Sequence, residues 1–357
     1  MKKIGILLYD DSLIGGAENV AIKLSQELSQ KYEVHMISIF QQKSNRIPEN
    51  IVHTVICSEL KSITFNLFDI SKKLKLYLTN QQIEVLIGIT AGINTVAILA
   101  TLGTKIKTIY CEHSNLENKT YGKKHELRQW IGAKYMDKIV TLTERDKENF
   151  FSRYKLPKEK VICIPNWFDV NYSLDETYQA NEKKIISVGR LEKVKGYDML
   201  VKVAKIVFEK HSDWSWDIYG DGKFKQEIQK GIDKANLQKN VFLKGNVADI
   251  KDRYKNYSFY VMTSYYEGLP LSLLEAQNSK LPIISFDCAT GPAEIVENNV
   301  NGYLIPCYDI DLMADKIRDL IKDIEKRKEF SNNSQINFEK FKKEKILEQW
   351  INLIQKV

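Results

Sequence analysis

The sequence predicts an α/β protein made of two doubly wound parallel sheets in tandem, and three observations carry that prediction. Short apolar runs alternate with longer helical stretches along most of the chain, the β-α-β grammar of a parallel sheet with helices on both faces. That grammar breaks once, in the polar stretch NWFDVNYSLDETYQANEKK (Asn166 to Lys184), and then restarts. The length, 357 residues, suits two domains of ordinary size.

Taken in order, the first half offers candidate strands at Ile4–Leu8, Val34–Ile39, Ile51–Ile56, Val85–Ile89, Ile106–Tyr110, Lys138–Leu142 and Val161–Ile164. Helical segments lie between most of them, for example Ala17–Leu28 and Asn94–Leu102. The opening MKKIGILLYDD sets two lysines before an apolar run, as a signal peptide would. That run ends at Asp10-Asp11 after about six residues, too short for such a segment, so a buried first strand is expected. Val85 to Thr104 carries no charge and has the length of a membrane span. Gly88, Gly92 and Gly103 interrupt it, and strand, glycine loop and helix is the expected reading, in a soluble chain without a spanning segment.

The second half repeats the pattern through IISVG, WSWDIYG, NVFLKG, SFYVMTS, LPIISFD and GYLIP. A last helix is expected over about Phe338 to Lys356, with Leu347, Trp350, Ile351 and Ile354 on one stripe. The expected divisions are residues 1–168, a linker at 169–183, residues 184–335, and a C-terminal helix at 336–357 that packs back on the first domain.

A formal net charge of +7 is mild and evenly spread, which argues against a nucleic-acid partner and suits phosphorylated small molecules or an anionic membrane. The five cysteines are scattered, with no C-x-x-C pair, so neither disulfides nor a zinc site is expected and a reducing cytoplasm fits.

In open α/β sheets ligands bind beyond the carboxyl ends of the strands, here a cleft between two facing sheets, so chemistry is sought in the loops that follow strands. Gly15-Gly16 follow the first strand and open a helix, which suits either a phosphate or sugar contact or a loop that needs glycine. No G-x-G-x-x-G is present, against a dinucleotide enzyme. Arg190 and Lys195, in VGRLEKVKGYDML, flank a strand-to-helix turn and could both reach one diphosphate, or be a solvated charge run. Gly220-x-Gly222 and LKGNVAD also end strands, as weaker signals.

SYYEGLPLSLLEA (Ser264 to Ala276) places Pro270 at a first helical position, so amides around Gly268 to Leu271 point out of the helix start and could hold phosphate. The carboxylates Glu267 and Glu275 then serve sugar hydroxyls, Glu275 a ribose and Glu267 the transferred sugar. An unpartnered Glu275 would be costly in so apolar a segment. His113, in YCEHSN, reads first as a hydrogen-bonded structural histidine, Thr143 as an N-cap with Asp146 three residues on, and Asn166 as a turn residue.

With GGAE, GRLEKVKG, YGDG, EGLPLSLLEA and NGYLI in this order and spacing, the chain resembles the retaining glycosyltransferases of family 4, with their two-Rossmann-domain GT-B architecture, over nearly its whole length. The Glu-x7-Glu element is the strongest piece. The resemblance implies an N-terminal acceptor domain and a C-terminal nucleotide-sugar domain. It implies that Arg190 and Lys195 bind the donor diphosphate together with Gly268, Leu269 and Gly16, with Gly15 and Gly16 forming an acceptor or phosphate loop. It further implies that Glu275 holds the ribose, that Asn246 and Val247 meet the base, and that Glu267 and His113 are the catalytic pair, in a sugar-positioning or electrostatic role. No cofactor and no metal is expected, and no Asp-x-Asp stands at a strand end to contradict that.

FDCATGPAEI (Phe286 to Ile295) looks like a subgroup using UDP-hexoses or UDP-N-acetylhexosamines in polysaccharide and lipid-linked glycan assembly. Trp167-Phe168 after Asn166 depart from the family, where a small residue is common. The expected reaction moves a hexose or N-acetylhexosamine from a UDP-sugar to a hydroxyl of a glycan acceptor, with retention. A nucleotide-sugar epimerase and a non-catalytic nucleotide-sugar-binding subunit are the rival readings. Basic amphipathic stretches at Leu60–Leu78 (Phe65, Leu67, Phe68, Ile70 and Leu74 among Lys72, Lys73 and Lys75) and around Lys119, Lys123, Lys124 and Arg128 suggest peripheral docking on an anionic membrane.

Overall fold

The computed structural model describes residues 1–10, 16–40, 46–57, 63–117, 122–168, 178–247 and 249–357. Two compact units emerge: Met1–Asn166 with Lys343–Val357, and Trp167–Lys342.

The first unit runs β1 (Lys3–Asp10), α1 (Gly16–Leu28), β2 (Glu33–Phe40), β3 (Val52–Cys57), α2 (Ile63–Asn80), β4 (Val85–Ile89), α3 (Asn94–Thr101), β5 (Lys107–Cys111), α4 (Lys123–Tyr135), β6 (Lys138–Thr141), α5 (Glu144–Tyr154) and β7 (Val161–Cys163). Its seven parallel strands lie in the order β3-β2-β1-β4-β5-β6-β7. The chain moves one way from β1 to β3 and the other way from β4 to β7. Right-handed crossovers therefore put α1 on one face and α2 to α5 on the other. Helices α2, α3, α4 and α5 pack side by side in that order. The central strands are largely apolar because both faces are covered: Leu7, Ile37, Leu86 and Ile139 are fully buried, whereas the edge strand β3 is part-exposed.

The second unit runs β8 (Lys184–Val188), α6 (Tyr197–Phe208), β9 (Ser215–Tyr219), α7 (Lys225–Lys234), β10 (Val241–Gly245), β11 (Phe259–Met262), α8 (Leu271–Asn278), β12 (Ile283–Phe286), α9 (Pro292–Ile295), β13 (Gly302–Ile305), α10 (Ile310–Lys322) and α11 (Ile324–Asn332). Six parallel strands lie in the order β10-β9-β8-β11-β12-β13 around a core of Trp216, Phe259, Phe286 and Phe330.

The last helix departs from the sequence reading. Phe338–Phe341 is a short 3-10 turn, Lys342 is extended and bridges Phe168, and only then does α12 (Lys343–Lys356) begin. An extended residue cannot continue a helix, so the start falls five residues later than the apolar spacing suggests. The buried stripe is Ile346, Trp350, Leu353 and Ile354, with Leu347 and Ile351 half-buried. Helix α12 packs on α1, and Lys343 pairs with Glu27 at 3.1 Å while Lys2 donates to the Ile354 carbonyl at 2.7 Å. Trp167 and Phe168 are buried, the latter edge-on to Phe338, so these large residues fill core space where a small one would leave a hole.

Val85–Thr104 forms β4, a glycine turn and α3, and no helix among the described residues is long and apolar enough to cross a membrane. All five cysteines are free.

Candidate active site

In the second unit the loops after β8 and β11 are stitched together. Tyr265 N–H donates to the Val194 carbonyl at 2.8 Å, and Thr263 Oγ1 donates to the Lys195 carbonyl at 3.3 Å. Gly196 makes the approach possible. Its φ is +65°, and a Cβ there would lie 2.0 Å from the Thr263 carbonyl oxygen. This contact brings Lys195 to Glu267: Nζ lies 2.7 Å from Oε1, with side chains only 21 % and 9 % exposed. Ser264 Oγ donates to the same oxygen at 2.6 Å, and Thr290 Oγ1, beyond β12, donates to the Glu267 carbonyl at 2.6 Å. A carboxylate beside an anion-attracting helix start is thus held by a cation and a hydroxyl.

Helix α8 starts at Leu271, one residue later than the sequence reading, because Pro270 has an extended ψ of 107° and occupies the cap. Glu275, one turn in, accepts a hydrogen bond from Tyr254 at 2.9 Å. Tyr260 joins the end of β8 to the same helix, its hydroxyl donating to the Val188 carbonyl at 3.0 Å and lying 2.9 Å from Ser272 Oγ. Arg190 is exposed and its guanidinium has no ion-pair or hydrogen-bond partner among the described residues. Gly268 and Leu269 lie between Glu267 and α8; Asn246 and Val247 follow β10, the former exposed. The bare faces at Gly220 and Gly222 are taken by the neighbouring loop: a Cβ at Gly220 would lie 2.0 Å from the Gly189 carbonyl. Cys288, nearby, is no nucleophile, since burial and then the Glu267 charge push its thiol up.

In the first unit His113 follows β5. Part of its surface is open, yet the surrounding protein disfavours the charged imidazolium and pushes the group down to about 4. Its segment is pinned by two buried carboxyls. Glu112 accepts from the Ser114 amide at 2.8 Å, Gln129 Nε2 at 2.8 Å, and the Tyr110 and Ser114 hydroxyls. Asp146 accepts from the Leu116 amide at 3.2 Å. Burial, then the Glu112 charge, pushes Asp146 up to about 7. Thr143 caps α5, its hydroxyl accepting from the Asp146 amide at 3.1 Å. Gly16 opens α1 and is exposed, while Gly15 lies outside the described residues.

The structure therefore brings Lys195 and Glu267 into contact and adds partners the sequence reading missed: Ser264, Thr290, Tyr254, Glu112 and Gln129. Only Ser264 and Glu112 carried a signal, as polar neighbours of Glu267 and His113. Among the described residues no cluster of His, Cys, Asp and Glu could hold a metal ion.

Two family models match the chain: "Glycosyltransferase Family 4" over residues 14–172 and "Glycosyl transferases group 1" over residues 175–336. An uncharacterized glycosyltransferase of Haemophilus influenzae is 30 % identical over 99 % of this chain and 100 % of its own. A Campylobacter jejuni α-1,4-N-acetyl-D-galactosaminyltransferase, named for an undecaprenol-diphosphate-linked glycan, is 26 % identical over 96 % of both. Among solved structures, Anabaena HepE in complex with UDP-glucose superposes with a TM-score of 0.84 at 18 % identity, covering 100 % of each chain.

Proposed function

The chain belongs to the glycosyltransferases of group 1 and family 4, with the GT-B fold, and from that premise we propose that it transfers a hexose or N-acetylhexosamine from a UDP-sugar to a glycan hydroxyl with retention. The acceptor we propose is a glycan carried on a lipid, in bacterial-type capsular, exopolysaccharide or related cell-surface synthesis, met in the cytoplasm at the inner face of the cell membrane. The observation that carries this reading is the Lys195–Glu267–Ser264 cluster at the start of α8, one turn before Glu275. The names of the Campylobacter and Anabaena proteins support the lipid-linked acceptor and the UDP-sugar.

Departure of UDP develops negative charge on the diphosphate. Lys195 and Arg190 neutralise it, together with amides at Gly268 and Leu269. The phosphate competes with Glu267 for Lys195, which leaves that carboxylate to accept from the hydroxyls of the transferred sugar. Glu275, oriented by Tyr254, takes the ribose diol, and backbone at Asn246 and Val247 takes the base. His113, kept neutral, serves the transferred sugar as a hydrogen-bonding group, and Gly16 serves phosphate or acceptor. The leaving phosphate oxygen takes the proton of the acceptor hydroxyl as it attacks on the same face. With that much positive charge already supplied by the chain, no metal cofactor is required.

The test incubates the chain with a panel of UDP-sugars and lipid-linked glycans in the presence of EDTA. Free UDP with a glycosylated acceptor is expected. An epimerised donor, or binding without turnover, would contradict the reading.

A further inference from the structure

The uncharged stretch that resembled a membrane span has a second meaning once its neighbours are in place. Helix α3, drawn from it, carries no charged residue and lies between α2 and α4 on one face of the sheet. Its Ile98, packed against the core, and Leu99 are half-buried, and Leu102 just past its end is 67 % exposed. Helix α2 turns Ile70 and Leu74 inward and leaves Phe65, Phe68 and Leu76 outward, the two phenylalanines 89 % and 80 % exposed. Helix α4 turns Leu127, Trp130 and Tyr135 outward in the same way. Seven of the twelve exposed large apolar side chains among the described residues thus fall on this one helical layer, far more than scattered surface residues would supply.

The charge on the layer has one dominant sign. Lys72 and Lys73 stand on the outer side of α2, and Lys123, Lys124 and Lys134 on that of α4. The two helices carry two carboxylates among the described residues, Asp69, which pairs with Lys73 at 2.9 Å, and Glu126, 3.8 Å from Arg153, so neither stands as unpaired negative charge. Lys134 lies 5.2 Å above the Trp130 ring, a lysine stem laid along an aromatic. Trp130 and Tyr135 sit edge to face, the residue types that favour the boundary between headgroups and acyl chains. Leu60 and Lys119, at the margins of the sequence stretches, lie outside the described residues.

We propose that the outer surface of α2, α3 and α4 is a docking face for an anionic phospholipid bilayer, with Phe65, Phe68 and Trp130 entering the headgroup region and the lysines meeting lipid phosphates. The inference rests, for its purpose, on the lipid-carried acceptor proposed above. The occupant follows from the chemistry. A lysine-rimmed apolar layer complements a negative, apolar-cored surface, whereas a second copy would set lysines against lysines.

The full chain is sedimented with vesicles of phosphatidylglycerol and phosphatidylethanolamine, and separately with phosphatidylcholine alone, at about 0.15 M salt. Binding to the anionic vesicles only is expected, and the variant F65S/F68S/W130S should reduce the bound fraction roughly tenfold. These three side chains are exposed, so the fold survives their loss. Equal binding to neutral vesicles, no binding, or an unchanged variant would overturn the proposal. So would a dimer in sedimentation velocity that the variant abolishes, which would assign the face to a second copy. UDP affinity and UDP release with a water-soluble glycan, measured without vesicles, report on the transferase reading separately and should not change in the variant.

Discussion

Each sheet carries at its carboxyl edge a loop with a carboxylate of interest, Glu112 after β5 and Glu267 after β11, yet the two loops treat that carboxylate in opposite ways. In the first unit Glu112 is 1 % exposed and is satisfied by a tyrosine, a serine, a glutamine and a backbone amide. In the second unit Glu267 is bound by a lysine and a serine, and the lysine keeps part of its surface in solvent. Four donors from fixed elements cannot be exchanged for a ligand without leaving buried groups unpaired. A single lysine can move from one anion to another. A loop at the carboxyl edge of a sheet thus serves as a fixed mount after β5 in one unit and holds an exchangeable charge after β11 in the other.

The comparison would break first at Lys195. Lys195→Ala should weaken UDP binding by roughly ten- to a hundredfold, the size of one charge-assisted contact, and lower kcat/KM further, with the melting temperature nearly unchanged. Calorimetry and thermal melts check this. Glu112→Ala should do the reverse, costing about 2–4 kcal/mol of stability in denaturant titrations while UDP affinity stays within a factor of about two. If both variants altered the same property, the two loops would not differ in kind. Glu275→Ala should weaken UDP by about tenfold if this carboxylate, oriented by Tyr254, makes the proposed ribose contact.

Smaller effects come from titration. Asp146 is held protonated up to about 7 in the fold but ionises near the ordinary carboxylate value when unfolded, so the folded state binds the extra proton in between. Stability from this group is therefore lost as pH rises toward 7. His113, pushed down to about 4, acts oppositely, and its contribution grows as pH rises to its unfolded value. Asp146→Asn should raise the melting temperature at pH 8 relative to pH 5, compared with the parent. The pH profile of turnover should show no acid limb from His113 near pH 6.5, because that group is already neutral there.

Much of this was legible in the sequence because buried parallel strands read as apolar runs. The thirteen strands among the described residues fall where such runs stand, from KIGILLYD to GYLI. Lys195 and Glu267, which the fold brings into contact, were legible as polar residues in loops that follow strands. What stayed hidden was contact between separate crossovers. Tyr254 meets Glu275 across 21 residues and Thr290 meets Glu267 across 23, with no periodicity to mark either pair. Helix α2 was ambiguous for another reason. It is apolar on more than one side and changes direction at Asn66, so spacing could not separate the buried Ile70 and Leu74 from the exposed Phe65 and Phe68.

The most direct measurement is a crystal structure of the chain soaked with UDP. The diphosphate is expected within hydrogen-bond distance of Lys195 Nζ and the start of α8, with Glu275 on the ribose and the Lys195–Glu267 contact lengthened. Density on another part of the second unit, or elsewhere on the chain, with that ion pair still at its present 2.7 Å, would contradict the account.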